Sequence, residues 1–152
     1  MTPLPLNDPG AQVLELSVHL PEVTRAVSWL ESILEAEGLD PARIFGFTLS
    51  LDEVLTNIID YGFPATEPDA QQADAALIRL IFRRDAEKLT LEVQDCGIAF
   101  DPTNQQIEAT VSDVAEAPIG GHGLRLMRHY LDSLEYQRRD GWNTLRLTMR
   151  AA

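Results

Sequence analysis

Between Ser50 and Phe63 the chain reads SLDEVLTNIIDYGF, an apolar stretch that nevertheless keeps Glu53, Asn57 and Asp60. On a helix each residue turns by about 100°, so positions spaced by four, three and four stack on one face. Gly46, Ser50, Glu53, Asn57 and Asp60 follow that spacing, while Ile44, Phe47, Leu51, Leu55 and Ile58 take the other faces. The plain reading of such a line is a solvent-exposed stripe. An exposed stripe ordinarily mixes in Lys and Arg, and this one has neither. An amide oxygen is a hard ligand, suited to a Mg²⁺ that keeps most of its waters and also touches phosphates. A carboxylate one turn away can take a proton from an attacking hydroxyl.

Two further peptides carry chemistry. DCGIAFDP, Asp95 to Pro102, follows a strand pattern. Asp95 offers acceptors suited to the exocyclic amine of adenine, and Gly97 removes a side chain where a flat ligand could approach the backbone. Asp101-Pro102 starts a new segment. Alone, this box is a common kind of turn. GGHGLRLMRHYLD begins with Gly120, Gly121 and Gly123 ahead of a helix read from about Leu124 to Leu131. Free N–H groups at a helix start attract phosphate, although a glycine-rich approach to a helix can equally be only a turn. Leu124, Met127, Leu131 and Leu134 read as core. Cys96 reads as a small buried filler, with a site-blocking thiol as the alternative. Trp29 and Trp142 read as packing residues.

The elements that must position these peptides follow from periodicity. Leu14, Leu16, Val18 and Leu20 alternate as a first strand, and Pro21 suits the first turn of a helix that Gly38 ends. Asp40-Pro41 opens a second helix running to about Tyr61, with Gly62 as its stop. Phe63 to Ala73 is a polar loop. Ala76, Ile78, Leu80 and Phe82 alternate, then Leu89, Leu91 and Val93, joined by a hairpin at RRDAEK. Residues 102–118 read as a long loop, then come the third helix and two strands turned at Asp140-Gly141. Strands and helices segregate, so the expected class is α+β: a two-layer sandwich with a mixed, mostly antiparallel sheet and helices on one face.

The chain of 152 residues is 45% hydrophobic, which suits one domain. Residues 1–10 read as a flexible N-terminal tail and 11–152 as the domain. No apolar run reaches the ~20 residues of a membrane span, and the start lacks a signal-peptide pattern, so the expected location is cytoplasmic. One cysteine and three scattered histidines argue against structural zinc. A net charge of −12 argues against nucleic acid and anionic membranes as direct partners. Before Ala75 only Arg25 and Arg43 are basic. That is either ordinary surface charge or an acidic face for a basic protein.

In this order and spacing the three peptides resemble the GHKL-type (Bergerat, HATPase_c) ATP-binding fold, and within it the RsbW-type anti-sigma-factor serine/threonine kinases. LDEVLTNIIDYGF resembles that family's N-box, VQDCGIAFDP its DxGxxFDP box, and GGHGLRLMRHYLD its GxGLxLM…D box. The similarity spans nearly the whole chain, to GWNTLRL in the last strand. It implies ATP and Mg²⁺ as cofactors, with Asn57 holding the metal and Glu53 as general base. It implies nucleotide contacts at Asn57, Asp95, Gly97, Ala99, Phe100, Gly120, Gly121, His122, Gly123 and Leu124, beneath an ATP lid at about 102–122. The implied partners are a sigma factor and a STAS-domain anti-anti-sigma protein phosphorylated on serine or threonine, and the resemblance admits a homodimer. The sequence departs from such a kinase in two respects: the N-box helix continues as Asp60-Tyr61-Gly62, where close relatives often place histidine, and from Pro102 through Leu124 there is no Lys or Arg. That keeps open a non-catalytic module that holds nucleotide and works by sequestering a partner. A histidine kinase is disfavoured, because no room remains for a helix bearing a phospho-accepting histidine.

Overall fold

A computed structural model describes the backbone of residues 1–63, 77–104 and 119–151, and the side chains of these except 104 and 119–123. Most of the expected lid and of the loop from Phe63 to Ala73, and the Ala76 start of the second strand, lie outside the described residues. The elements are β1 (Ala11–Ser17), α1 (Pro21–Ala36), α2 (Pro41–Asn57), a π-helical turn (Ile58–Gly62), β2 (Leu77–Arg84), β3 (Lys88–Asp95), a 3-10 turn (Pro102–Asn104), α3 (Ile119–Tyr130), β4 (Ser133–Arg139) and β5 (Trp142–Arg150).

One five-stranded sheet has the order β1-β2-β3-β5-β4. Every pairing is antiparallel, so among the described residues the sheet is not mixed. Two of the pairs are tight hairpins, antiparallel by construction. In the β4–β5 hairpin Arg139 pairs with Trp142 across Asp140 and Gly141, whose φ angles of 54° and 81° are those of a left-handed turn. Asp85 closes the β2–β3 turn by accepting from the N–H groups of Glu87 and Lys88. The first strand is shorter than its alternation suggested. His19 N–H already turns back to the Ser17 carbonyl, and Leu20 is 54% exposed rather than core-facing.

The inner face of the sheet carries Leu16, Ile78, Leu80, Phe82, Leu89, Leu91, Val93, Leu145, Leu147 and Met149, all buried. Against it lie the apolar faces of the helices. In α1, Val23, Ala26, Leu30, Ile33 and Leu34 are buried at helical spacing. The helix ends in a Schellman turn, with Leu39 N–H bonded to the Leu34 carbonyl and Gly38 at φ 80°. Asp40 caps α2 by accepting from Arg43 N–H, and Phe47, Leu51, Val54 and Leu55 are buried below it. Helix α2 packs against both α1 and α3.

Helix α3 begins at Ile119, earlier than Leu124, and takes in Gly120, Gly121 and Gly123. Glycine costs a helix about 1 kcal/mol per residue, which is why the local signal delayed the start. The anchoring of Leu124 and Met127 in the core outweighs it.

The outer face of the sheet is also partly covered. Ile81 and Glu92 are fully buried there, outside the main core cluster. The first residues, read from sequence as a tail, lie across this face. Leu4 N–H donates to Glu92 Oε1 at 3.0 Å, the Thr2 carbonyl accepts from Arg146, and Asp8 pairs with Arg83 at 2.7 Å.

Candidate functional site

The end of α2 brings Glu53 and Asn57 together, both half-buried. The Asn57 amide donates from Nδ2 to Glu53 Oε1 at 3.3 Å. With its NH₂ so engaged, the amide oxygen is the atom left to meet a cation. The rest of the line read from sequence does not continue it. Gly46 and Ser50 are buried, and Ser50 bonds back to the Gly46 carbonyl. A Cβ on Gly46 would lie 2.2 Å from the Tyr130 ring, so this glycine seats α3 across α2. Asp60 is exposed on the π-helical turn, where the wider winding departs from the 100° register that put it in line.

That π-helical turn joins the second peptide. Ile98 N–H donates to the Gly62 carbonyl at 2.9 Å, and a Cβ on Gly97 would lie 2.5 Å from that same oxygen. At Gly97 the chain itself makes a close approach, through the Gly62 carbonyl. Asp95, 4% exposed, ends β3. Its Oδ1 accepts from Gly97 N–H at 2.9 Å and from Asn143 Nδ2 at 3.0 Å. Burial pushes its carboxyl above the ordinary range, opposed by those two hydrogen bonds and by the charge of Arg138.

Between the two peptides lies a small, partly open cavity of about 30 Å³. Asn57 and Asp95 line it together with Ile58, Phe100 and Met127. A carboxylate among apolar walls suits a flat heterocycle bearing an amine. No cluster of three His, Cys, Asp or Glu side chains occurs among the described residues. A Mg²⁺ sharing its shell with water and phosphate needs no such cage, so the Asn57 oxygen fits it.

Of the remaining sequence-predicted residues, Phe100 lines the cavity, whereas Ala99 is exposed and does not. Leu124 is buried in the core. Gly120, Gly121, His122 and Gly123 form the first turns of α3, whose leading N–H groups lack partners within the helix. The side chain of His122 lies outside the described residues. Cys96 is exposed, not a buried filler, because β3 ends at Asp95 and the turn points the next side chain outward. Met127, read only as core, both packs there and lines the cavity. Asn143 and Tyr136, both lining, were missed. The signal was available: Asn143 shares the inward register of Leu145, Leu147 and Met149, where a polar residue is out of place.

The fold and the paired α2 and β3 termini are those of a histidine kinase-like ATPase domain, and the chain belongs to that family, whose sequence pattern matches residues 16–149. Over 139 residues the chain is 40% identical to the serine/threonine-protein kinase BtrW of Bordetella bronchiseptica, a similarity covering 91% of this chain and 93% of that protein. No helix among the described residues is long and apolar enough to cross a membrane.

Proposed function

We propose that the protein is an ATP- and Mg²⁺-dependent serine/threonine kinase of the partner-switching kind. It sequesters a sigma factor in the cytoplasm and phosphorylates a STAS-domain antagonist. The observation that carries this reading is the Glu53–Asn57 pair, hydrogen-bonded at 3.3 Å beside a cavity that Asp95 and Asn57 both line. The similarity to a protein named as a serine/threonine kinase supports the reaction class. Asp95 accepts the base amine, and Ile58, Phe100 and Met127 hold the ring. Bound at the Asn57 oxygen, Mg²⁺ supplies charge neutralisation for the phosphates. Glu53 takes the proton of the partner's hydroxyl as its oxygen bonds to the γ-phosphorus. The bond from that phosphorus to the bridging oxygen breaks, and ADP leaves with the electron pair.

One observation favours a second reading, a nucleotide-holding module that regulates by binding alone: no Lys or Arg occurs from Pro102 through Leu124. Arg125, exposed on α3, is the nearest cation in sequence. The experiment is calorimetry of ATP with Mg²⁺, followed by radiolabel transfer to a STAS protein of the same genome. Asn57→Ala is expected to abolish nucleotide binding. Glu53→Gln is expected to keep binding and lower transfer by about 10²–10⁴-fold. Equal transfer by Glu53→Gln and the wild type would remove Glu53 as base. ATP binding by the wild type without transfer to any STAS protein selects the second reading.

A further inference from the structure

The inward side chains beside the β4–β5 turn build a layer behind Asp95. Asn143 Nδ2 donates to Asp95 Oδ1 at 3.0 Å and to the Ile98 carbonyl at 2.9 Å. Its Oδ1 accepts from the Tyr136 hydroxyl and from Arg138 Nη1, the latter at 3.1 Å. The same Arg138 Nη1 donates to the Gly97 carbonyl at 3.0 Å. Asn143 is 5% exposed.

An amide can rotate by 180° and exchange its oxygen and nitrogen. Here that rotation would turn the oxygen onto the Asp95 carboxylate and the Ile98 carbonyl, and the NH₂ onto the Arg138 guanidinium, losing those hydrogen bonds. Arg138 opposes it on one side, since a guanidinium cannot accept, and the Asp95 and Ile98 acceptors oppose it on the other, whereas the Tyr136 hydroxyl can turn and accept through its oxygen. With the amide so fixed, Asp95 Oδ1 is saturated by two donors and Oδ2 is the acceptor left for a ligand.

We propose that Arg138 is a positioning residue for base recognition: it locks the Asn143 amide and the Gly97 carbonyl so that one defined oxygen of Asp95 meets the purine amine. This rests on the reading of Asp95 as the amine acceptor. Arg138 acts through Asn143 and the 95–98 turn, not on the nucleotide. The groups facing Asp95 across the cavity are Val54, Asn57 and Ile58 from the α2 end and Met127 from α3, none titratable. The ionisable side chains tied to this layer are Arg138 and Tyr136 of β4, through Asn143, and Glu53 of α2, through Asn57.

The test compares ATP with purine riboside triphosphate, which lacks the amine, on the wild-type chain and on Arg138→Met, Arg138→Lys and Tyr136→Phe. Failure of the wild type to prefer ATP sinks the amine reading itself and is distinguishable at once. Given that preference, Arg138→Met is expected to bind ATP about ten-fold more weakly, with purine triphosphate affinity nearly unchanged, so that discrimination collapses. The acid midpoint of ATP binding should also move to higher pH, since removing the cation favours the protonated carboxyl. Arg138→Lys should keep that midpoint while losing part of the discrimination, because one ammonium does not reproduce the guanidinium geometry. Equal weakening toward both nucleotides with no midpoint shift would show a merely structural role and overturn the proposal. Should Arg138→Met not fold, Arg138→Lys and Tyr136→Phe carry the test, and unaltered discrimination in both overturns it.

Discussion

Asp95 shows how one residue trades stability for binding. Its carboxyl is held above the ordinary value of 3.8, chiefly by burial. The folded state therefore takes up a proton more readily than the unfolded one, and stability falls as pH rises from 3.8 through the raised folded value. Asp95→Asn keeps an oxygen for both donors and removes the charge. It is expected to melt no lower than the wild type at pH 7, with an advantage that shrinks on acidification toward 3.8. Its ATP affinity should fall by about ten-fold or more, since an amide NH₂ then faces the base amine. Melting by circular dichroism across pH, with calorimetry of ATP, checks both halves. A variant that melts lower at pH 7 would contradict the stated cause of the shift.

At the scale of elements, two glycines set how helices and turns meet. Gly46 lets α3 press the Tyr130 ring onto α2, and Gly97 lets the 95–98 turn close on the Gly62 carbonyl. Gly46→Ala is expected to destabilise by about 1–3 kcal/mol through overpacking, although alanine is the better helix former by about 1 kcal/mol. In a Tyr130→Ala background the ring is gone and the sign should reverse, leaving only the helix-propensity gain. Urea melts of the four chains measure this, and destabilisation in both backgrounds would contradict the packing account. Gly97→Ala should weaken ATP binding, because the added methyl pushes the Asp95 turn away from the end of α2.

At the scale of the whole molecule, the first residues lie over a polar cluster on the outer sheet face whose centre, Glu92, is buried. Glu92 is fully buried and paired with Arg146, and it also accepts from Gln94 and from Leu4 N–H. Removing one partner of a buried ion pair costs about 3–5 kcal/mol, because the other charge stays buried alone. Arg146→Ala is expected to cost that much in the full chain. In a chain lacking residues 1–8 water reaches Glu92, so the same substitution should cost markedly less. A double-mutant cycle by urea unfolding reads the difference, and equal costs would show that the N-terminal segment does not shield the carboxylate.

The order of strands and helices, the cap at Asp40, the turn at Asp140-Gly141 and the three peptides were legible in the sequence. Each is written locally, in the period of apolar residues or in the backbone needs of Asp, Pro and Gly. That Glu53 and Asn57 share a face also followed, because four residues make about one helical turn. Tertiary structure alone decided what residues distant in sequence do to one another. It put Tyr130 over Gly46 and so ended the polar line at Glu53. It gave the space beside Gly97 to Gly62, and laid the first residues over Glu92. It also brought Asn143, Tyr136 and Arg138 behind Asp95, about forty residues away along the chain. Such contacts depend on how strands pair and helices cross, which no window of neighbouring residues contains.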